Sequence, residues 1–213
     1  MKKYNAVIFD LDGVICHTDK YHYEAWKKVA DEIGIYFDQE INNRLRGVSR
    51  MESFEIILER YNGELNESEK EFWITKKNDI YKELLKNMNT SDLSEEVKAT
   101  LDGLRAANHK LAIGSSSKNA RFILGQLGLG EYFDAISDGT NITKSKPDPE
   151  VFLKAAEFLG EKPEECYVVE DAYAGIDAAK SAGMQAVGIG DAAGYGATDK
   201  KIKSFGELLT LEE

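Results

Sequence analysis

The pattern of hydrophobic positions changes character twice along the chain. It opens with a short apolar run, Ala6-Val7-Ile8-Phe9, which is typical of a strand buried in a parallel sheet. Residues 19–87 then follow a helical period that is interrupted at Gly34 and at residues 46–47 and 62–63. After this block, helical faces alternate with short apolar runs. The pattern predicts one strand, then a long helical block, then an alternating α/β region.

The alternating region predicts a parallel sheet. Three more apolar runs are predicted as strands, at residues 111–113, 167–169 and 186–189. The helical faces between them are long enough for right-handed crossovers, which connect parallel strands. We therefore expect an α/β fold with a Rossmann-like parallel-sheet core, formed by residues 1–16 and 88–213. The helical block, residues 17–87, is expected to be an inserted α-helical cap domain.

Composition and charge exclude several classes of protein. Of the 213 residues, 42% are hydrophobic and 31% are charged, which is ordinary for a globular protein. The formal net charge of −11 disfavours nucleic acid or an anionic membrane as a partner. No apolar run approaches the ~20 residues that span a bilayer, and the chain opens without the apolar region of a signal peptide.

The cysteine content points the same way. Cys16 and Cys166 are too few for a disulfide framework, and both flank apolar runs, so we expect buried free thiols. These features together predict a cytoplasmic protein. We expect it to act as a monomer on a small molecule, with no nucleic acid and no membrane as partner.

Polar side chains follow the predicted strands at the points where these strands end. Asp10-Leu11-Asp12-Gly13 follows the first strand, residues 115–119 follow the second, and Glu170-Asp171 follows the third. Lys146 lies just before a helix introduced by prolines. A D-x-D pair by itself is more common in a solvated turn. The combination is different, because ligands of an open parallel sheet bind at the carboxyl ends of its strands.

This set of side chains suits phosphoryl transfer. Mg²⁺ prefers hard oxygen ligands, which Asp10 and Asp171 could supply with Glu170 beside them. A carboxylate such as Asp10 can also be the nucleophile and form an acyl phosphate.

Charge on the transferring phosphoryl group must then be offset. Lys146 and a donor from Ser115 could do this, because phosphoryl transfer depends mainly on positioning and electrostatics. Asp12, two residues after Asp10, could exchange a proton with the leaving or attacking oxygen.

Four segments carry a resemblance to a known family. F-D-L-D-G-V, S-S-S-K-N, S-K-P-D-P and V-E-D-A-Y-A-G together resemble the haloacid dehalogenase-like (HAD) phosphotransferases, and the helical block resembles their cap domain. Within the block, residues 22–26 (H-Y-E-A-W), 46–50 (R-G-V-S-R) and 77–79 (K-N-D) resemble the β-phosphoglucomutase branch. The resemblance covers essentially the whole chain.

The resemblance implies roles for the core residues. It makes Asp10 the phosphorylated nucleophile and Asp12 the general acid/base. Ser115 and Lys146 would hold the transferring phosphoryl group. The implied magnesium ligands are Asp10, the backbone carbonyl of Asp12, Glu170 and Asp171.

It also implies roles around the second phosphate and in the cap. The residues that would hold the other phosphate are Arg50, Ser117, Lys118 and Asn119, with Ser116 in the same turn. The loop expected to face the sugar comprises Arg46, Gly47, Val48 and Ser49. Those expected to couple cap closure to placement of the acid/base are Thr18, His22 and Lys77.

Three positions depart from the family pattern. His17 stands where relatives commonly have an acidic residue, Arg46 where a lysine is familiar, and Ala172 where serine is frequent. None of these removes a catalytic group, but His17 leaves the hydrogen bonding at the hinge open.

Three functions are consistent with the sequence. The first is an isomerase that interconverts β-D-glucose 1-phosphate and D-glucose 6-phosphate, with Mg²⁺ as cofactor, an aspartyl-phosphate enzyme and glucose 1,6-bisphosphate as intermediate and activator. The second is a sugar-phosphate phosphatase in which water attacks the same acyl phosphate. The third is a non-enzymatic phosphoaspartate switch, which leaves the helical block and Arg50 unexplained. The predicted second phosphate site favours the isomerase.

Overall fold

The structure is a computed structural model and describes residues 4–45 and 48–211. The chain divides into two compact units. The first contains the described residues 4–17 and 89–211, and the second runs from Thr18 to Met88. Arg46 and Gly47 of the predicted sugar-facing loop lie outside the described residues.

The first unit is built on a parallel sheet. Among the described residues the sheet has six strands in the order β3-β2-β1-β4-β5-β6, and every neighbouring pair is parallel. The chain leaves β1 in one direction along the sheet and returns to its other side at β4, so the strand order reverses between these two strands. This is the topology of a doubly wound fold, and the predicted Rossmann-like α/β class is confirmed.

The bounds of the elements in this unit follow. The strands are β1 (Ala6–Phe9), β2 (Lys110–Gly114), β3 (Ala135–Ser137), β4 (Cys166–Glu170), β5 (Gln185–Gly188) and β6 (Lys200–Lys201). The helices, which we number after the four of the second unit, are α5 (Glu95–Ala106), α6 (Ala120–Gln126), α7 (Glu150–Leu159) and α8 (Tyr173–Ser181). Short 3₁₀ helices occur at Thr90–Asp92, Pro163–Glu165, Gly190–Gly194 and Phe205–Thr210.

Both faces of the sheet are covered, which explains its uninterrupted apolar strands. On one face, Ile8 and Val168 pack with α7 and α8 in a cluster that includes Phe152 and Ile176. On the other face, Phe9 stacks on Phe205 with ring centroids 5.6 Å apart. Every residue of β1 and of β4 is buried. The two central strands therefore end in a setting from which water is largely excluded.

The hydrophobic pattern missed two strands. β3 has three residues and β6 only two, so neither offers the apolar run that identifies a buried strand. β6 begins at Lys200, and both of its residues are lysines whose backbones pair with β5 at the sheet edge. Their assignment as strands depends on a neighbour that is distant in sequence.

The second unit is helical. Its helices are α1 (Asp19–Ile33), α2 (Gln39–Asn43), α3 (Arg50–Leu58) and α4 (Glu67–Leu85). A capping box begins α4, a pattern that is visible in the sequence as Asn66 and Glu69 three residues apart: Asn66 Oδ1 accepts from the N–H of Glu69 at 3.0 Å, and Glu69 Oε2 accepts from the N–H of Asn66 at 2.8 Å. A hydrophobic cluster that includes Trp26, Phe37 and Phe54 forms the core of this unit.

Two further observations bear on the expectations from sequence. Cys16 and Cys166 are both buried and free, as predicted. In the part of the chain that the structure describes, no helix combines the length and the apolar character needed to cross a membrane.

Candidate active site

The register of two strands brings the two acidic segments together. Phe9 of β1 lies beside Val169 of β4, and the N–H of Asp10 donates to the carbonyl of Val169 at 3.0 Å. The residues that follow, Asp10 and Glu170, therefore leave the sheet side by side at its carboxyl edge. This edge lies at the point where the strand order reverses, which is where open α/β sheets bind ligands.

Three carboxylates form a buried cluster there. Asp10, Glu170 and Asp171 each place a carboxylate oxygen within 4.8 Å of the others. Glu170 is 1% exposed, and Asp10 and Asp171 are each 7% exposed. Buried carboxylates disfavour their charged form unless a cation or hydrogen-bond donors compensate, so the cluster requires compensating charge.

Lys146 supplies part of that charge. Its ammonium pairs with Asp10 and lies 2.5 Å from Glu170 Oε1, and the lysine is 4% exposed. Burial opposes protonation of this lysine, but Asp10 and Glu170 outweigh it and raise the Lys146 pKa above its ordinary value. Lys146 is therefore a fixed cation at the cluster.

One lysine does not balance three carboxylates. Burial, which Lys146 only partly offsets, holds the pKa of Asp10 well above its ordinary value, and Glu170, Asp171 and Asp12 raise it further. The ionised form of Asp10 thus needs another cation. The donors at this point are carboxylate oxygens, which fit a hard divalent cation such as Mg²⁺.

Two glycines allow the carboxylates to approach the backbone. Gly13 has φ +89°, and a Cβ at this position would overlap the carboxylate of Asp171. A Cβ at Gly175, in the first turn of α8, would overlap the carboxylate of Glu170. Both glycines fall within the motifs quoted above, but no role was predicted for Gly175. The sequence signal that could have identified Gly175 is a glycine in the first turn of the helix that follows the acidic pair Glu170-Asp171.

Glu170 is oriented by the start of the same helix. Its Oε2 accepts from the N–H groups of Asp171 and Ala172, both at 3.0 Å. The other oxygen faces Lys146. Two backbone donors and the Lys146 ammonium thus fix this carboxylate.

Asp12 occupies a different environment from Asp10. It is partly exposed, and its backbone forms an isolated bridge with Cys16. The N–H of Gly13 donates to the carbonyl of Cys16 at 2.7 Å, which closes the turn. The partial exposure of its carboxyl group suits a residue that exchanges protons with a bound substrate.

The serine-rich turn lies at the end of β2. Ser115 Oγ accepts from the N–H of Ser117 at 3.2 Å, and Ser117 Oγ accepts from the N–H of Asn119 at 3.2 Å. Ser115 and Asn119 are buried, whereas Lys118 is exposed. Ser116 Oγ accepts from the N–H of Lys146 at 3.5 Å, which links the turn to the lysine loop.

The missed strand β3 supports this turn. Ser115 donates its N–H to the carbonyl of Ser137 at 3.0 Å, and Gly139 donates its N–H to the carbonyl of Ser117 at 3.1 Å. Asp138, which is 1% exposed, accepts from the N–H of Thr140 at 2.8 Å. These supporting residues could not be identified from the sequence because the strand that carries them was not recognised.

In the second unit, His22 and Lys77 lie together. His22 Nδ1 is 2.9 Å from Lys77 Nζ, and Lys77 is 1% exposed. Burial lowers the pKa of His22 well below its ordinary value, and the positive charges of Lys77 and Arg50 lower it further. His22 is therefore neutral near pH 7. Thr18 is fully buried before α1, and its carbonyl accepts from the N–H of His22.

The segment that precedes α3 has a structural role as well as a predicted binding role. Ser49 is the N-cap of α3, and its Oγ accepts from the N–H of Glu52 at 3.3 Å. Val48 and Arg50 are partly exposed. Burial lowers the pKa of Arg50, opposed by Tyr81 and Glu71. Its guanidinium remains a cation within the helical unit.

The chain is similar to known proteins over most of its length. The profile of the haloacid dehalogenase-like hydrolases matches residues 4–183. A β-phosphoglucomutase of Bacillus subtilis is 44% identical over 209 residues, which are 97% of this chain and 92% of the relative. A phosphorylated-carbohydrate phosphatase of Thermotoga maritima is 33% identical over 187 residues, which are 85% of this chain and 83% of that protein.

A solved crystal structure is also similar to this chain in both fold and sequence. The crystal structure of a β-phosphoglucomutase from Clostridium difficile matches with a TM-score of 0.88 and 39% sequence identity. The match covers 96% of this chain and 93% of that one. Relatives of this chain thus include both a mutase and a phosphatase.

Proposed function

The chain belongs to the haloacid dehalogenase-like hydrolase family and is an enzyme, and on this premise we propose that it is a phosphomutase. The substrates are β-D-glucose 1-phosphate and D-glucose 6-phosphate. The observation that carries the proposal is the buried group of Asp10, Glu170, Asp171 and Lys146 at the reversal of strand order. It occurs in a chain that is 44% identical to a protein named for this reaction.

Asp10 is the proposed nucleophile. One of its carboxylate oxygens attacks phosphorus, the bond between phosphorus and the sugar oxygen breaks, and that oxygen takes a proton from Asp12. The products of this step are an acyl phosphate on Asp10 and a sugar hydroxyl. Lys146 and the Ser115 hydroxyl stabilise charge on the transferring oxygens.

The reverse of this step completes the cycle. On the phosphorylated enzyme, Asp12, now ionised, takes the proton from the C6 hydroxyl of β-D-glucose 1-phosphate, and that oxygen attacks the phosphorus of the acyl phosphate. The bond from phosphorus to Asp10 breaks, and glucose 1,6-bisphosphate is formed. The first step then transfers the C1 phosphoryl group of this bisphosphate to Asp10 and releases D-glucose 6-phosphate, so glucose 1,6-bisphosphate is both the intermediate and the activator that first phosphorylates Asp10.

A divalent cation would complete the charge balance of the three carboxylates and Lys146. The residues that would hold Mg²⁺ are Asp10, Glu170, Asp171 and the backbone carbonyl of Asp12. When bound, it would offset the negative charge that collects on the carboxylates and on the transferring phosphoryl group. Use of Mg²⁺ is general in this family, and the oxygen-only donor set supports the same ion here.

The remaining predicted residues bind the part of the substrate that does not react. We assign the second phosphate to Arg50, Ser117, Lys118 and Asn119, because guanidinium, hydroxyl and ammonium groups bind phosphate oxygens. The helical unit is proposed to be a cap that excludes water while the bisphosphate is present.

A sugar-phosphate phosphatase is the second candidate. The 33% identity to a carbohydrate phosphatase favours it, and the same Asp10 would serve, with water as the acceptor. The two functions differ only in what attacks the acyl phosphate.

Product analysis distinguishes them. The enzyme is incubated with β-D-glucose 1-phosphate, Mg²⁺ and a trace of glucose 1,6-bisphosphate, and free phosphate and glucose 6-phosphate are measured in the same sample. A mutase forms glucose 6-phosphate far faster than free phosphate. If free phosphate accumulates at the rate at which substrate disappears, the enzyme is a phosphatase.

A further inference from the structure

Lys77 is buried between two aromatic rings. It lies in the middle of α4 and is 1% exposed. Its Nζ is 5.0 Å from the ring centroid of Trp26 and 4.5 Å from that of Tyr81. A cation within ~6 Å of an aromatic centroid is attracted to the negative face of the ring, most strongly where water is excluded. The two rings therefore favour the charged form of this lysine.

His22 contacts both the lysine and one of the rings. Its Nδ1 is 2.9 Å from Lys77 Nζ, and its ring centroid is 4.1 Å from that of Tyr81, with an interplanar angle of 31°. An ammonium group has N–H donors and no lone pair, so in this contact Nδ1 must be the acceptor. The neutral imidazole then carries its proton on Nε2.

We propose that Trp26 and Tyr81 are positioning residues that hold Lys77 as an ammonium against Nδ1 of His22 and so fix His22 as the neutral Nε2–H tautomer. We call the two rings the aromatic cage. The role of His22 in turnover, which rests on the proposed function, is then that of a hydrogen-bond donor through Nε2, and His22 carries no proton between groups.

The cage is fixed by the core of the helical unit. Trp26 is 2% exposed and stacks on Phe54 with centroids 5.8 Å apart and an interplanar angle of 9°. Tyr81 is 1% exposed. Since neither ring is free to turn away, the position of Lys77 follows from the packing of α1, α3 and α4.

The charges that face His22 act in the same sense. Lys77 from α4 and Arg50 from α3 both disfavour an imidazolium, and burial, the largest effect, does so too. His22 therefore keeps one proton, and the contact with Lys77 decides which nitrogen holds it.

Ring ¹⁵N chemical shifts of histidine test the proposal directly. The chain has three histidines, so a His22→Gln spectrum assigns the signal. The expected result for the wild-type holoenzyme is a single neutral Nε2–H tautomer from about pH 6 to 9, whereas an ordinary histidine with a pKa of about 6.5 would be mostly protonated at the lower end of this range. A signal from the Nδ1–H tautomer, or from an imidazolium at pH 7, would overturn the proposal.

Three variants separate the cage from simple packing. Tyr81→Leu should give a mixture of His22 tautomers and lower kcat/KM by about 2- to 30-fold, the range expected from loss of one cation–π contact. Tyr81→Phe keeps the ring and should restore both properties. Phe37→Leu removes an aromatic ring from the same hydrophobic cluster, where it stacks on Tyr23, and should leave the His22 tautomer unchanged.

The outcomes are informative whatever reaction is catalysed. If Tyr81→Leu retains the wild-type His22 spectrum, or if Phe37→Leu alters it equally, the cage does not set the tautomer. Should Tyr81→Leu misfold, Trp26→Leu removes the other ring and should give the same mixture of His22 tautomers; a wild-type spectrum for that variant would overturn the proposal. The spectrum needs no substrate, so a failure of the mutase proposal in product analysis would be seen separately.

Discussion

The two units of this protein bury charge in opposite ways. At the edge of the sheet, three buried carboxylates cluster together, one lysine pairs with two of them, and burial raises the pKa of Asp10. In the helical unit, a buried lysine lies between aromatic rings beside a histidine, and burial lowers the pKa of His22. The same physical effect, removal of water from an ionisable group, has opposite consequences for an acid and a base.

The difference indicates a division of labour. The sheet edge retains an excess of negative charge and is suited to hold a cation and to form an acyl phosphate. The site around His22 in the helical unit has positive charge and donors, through Lys77, Arg50 and the proposed Nε2–H of His22, and is suited to bind a sugar phosphate. Each of the five predictions below tests one side of this contrast.

The largest effect is expected from Asp10→Asn. The amide keeps the shape of the side chain but is not a nucleophile, so turnover should fall by about 10⁴-fold or more. Incubation with labelled acetyl phosphate should leave the variant unlabelled, whereas the wild type acquires acid-stable, base-labile label. Labelling of the variant to the wild-type level would remove Asp10 from the mechanism.

Asp12→Ala should separate the two steps at the sheet edge. The nucleophile remains, so the variant should still acquire label from acetyl phosphate. Transfer to the sugar should slow by roughly 10²- to 10⁴-fold, the usual contribution of a general acid/base. Rapid-quench measurement of glucose 1,6-bisphosphate formation is the appropriate readout. Loss of labelling together with transfer would assign Asp12 to phosphoenzyme formation instead.

Arg50→Ala tests the positive side of the contrast. Loss of charge-assisted hydrogen bonds of about 1.5–3 kcal/mol corresponds to roughly 10- to 150-fold in kcat/KM. The loss should fall on conversion of β-D-glucose 1-phosphate, while labelling by acetyl phosphate, which has no second phosphate, should change little.

Arg44→Ala is the matched control for Arg50→Ala. Arg44 belongs to the same unit, but its guanidinium pairs with Glu59 Oε1 at 2.7 Å and is half-exposed. Neither assay should change in this variant. Equal losses in both assays for Arg50→Ala would favour a phosphatase over a mutase.

The thermal stability of the metal-free protein should depend on the excess negative charge at the sheet edge. Because burial raises the pKa of Asp10, the folded metal-free protein holds a proton that the unfolded chain releases, so stability is lost as pH rises through the folded pKa. In EDTA at pH 8, Asp10→Asn should therefore melt at a higher temperature than the wild type. Calorimetry with and without Mg²⁺ measures this, and a lower melting temperature for the variant would contradict it.

The helical unit should show the opposite trend. Because the pKa of His22 is lowered on folding, the stability that neutral His22 provides is present above its unfolded pKa of about 6.5 and lost as pH falls through the folded value. Both tryptophans of the chain, Trp26 and Trp73, lie in this unit, so urea unfolding followed by tryptophan fluorescence reports on it specifically.

His22→Asn should flatten that pH dependence between pH 7 and 5 while keeping an acceptor for Lys77 (values near the ordinary histidine pKa of about 6.5). His17→Asn, which alters an exposed histidine in the other unit, serves as the control and should follow the wild-type profile. A wild-type profile for His22→Asn would show that His22 does not titrate on unfolding.

The sequence predicted the elements whose signal lies within a few consecutive residues. The strands containing Ile8, Ala112, Val168 and Val187 could be identified because a strand buried on both faces requires consecutive apolar residues. The polar residues at the carboxyl ends of these strands could be identified once the strands were predicted. The helix start at Asn66 was predictable because a capping box involves only residues three apart.

Other parts of the molecule have no local signal. β3 and β6 are too short to show a period, and Gly175 is needed only because the carboxylate of Glu170 lies against it. Lys77 is buried between Trp26 of α1 and Tyr81 of α4. Trp26 is about 50 residues from Lys77 in the chain, so no local pattern predicts this contact.

The sequence by itself determined the α/β class, the four longer strands, the helical block that follows the first of them, the family, and which carboxylates and lysine stand at strand ends. Only the tertiary structure decided that Phe9 lies beside Val169, so that Asp10 and Glu170 share Lys146. It also decided which ring faces which cation. Local periodicity reports how each segment is solvated, whereas register and side-chain neighbours depend on contacts between segments far apart in the chain, which leave no period to detect.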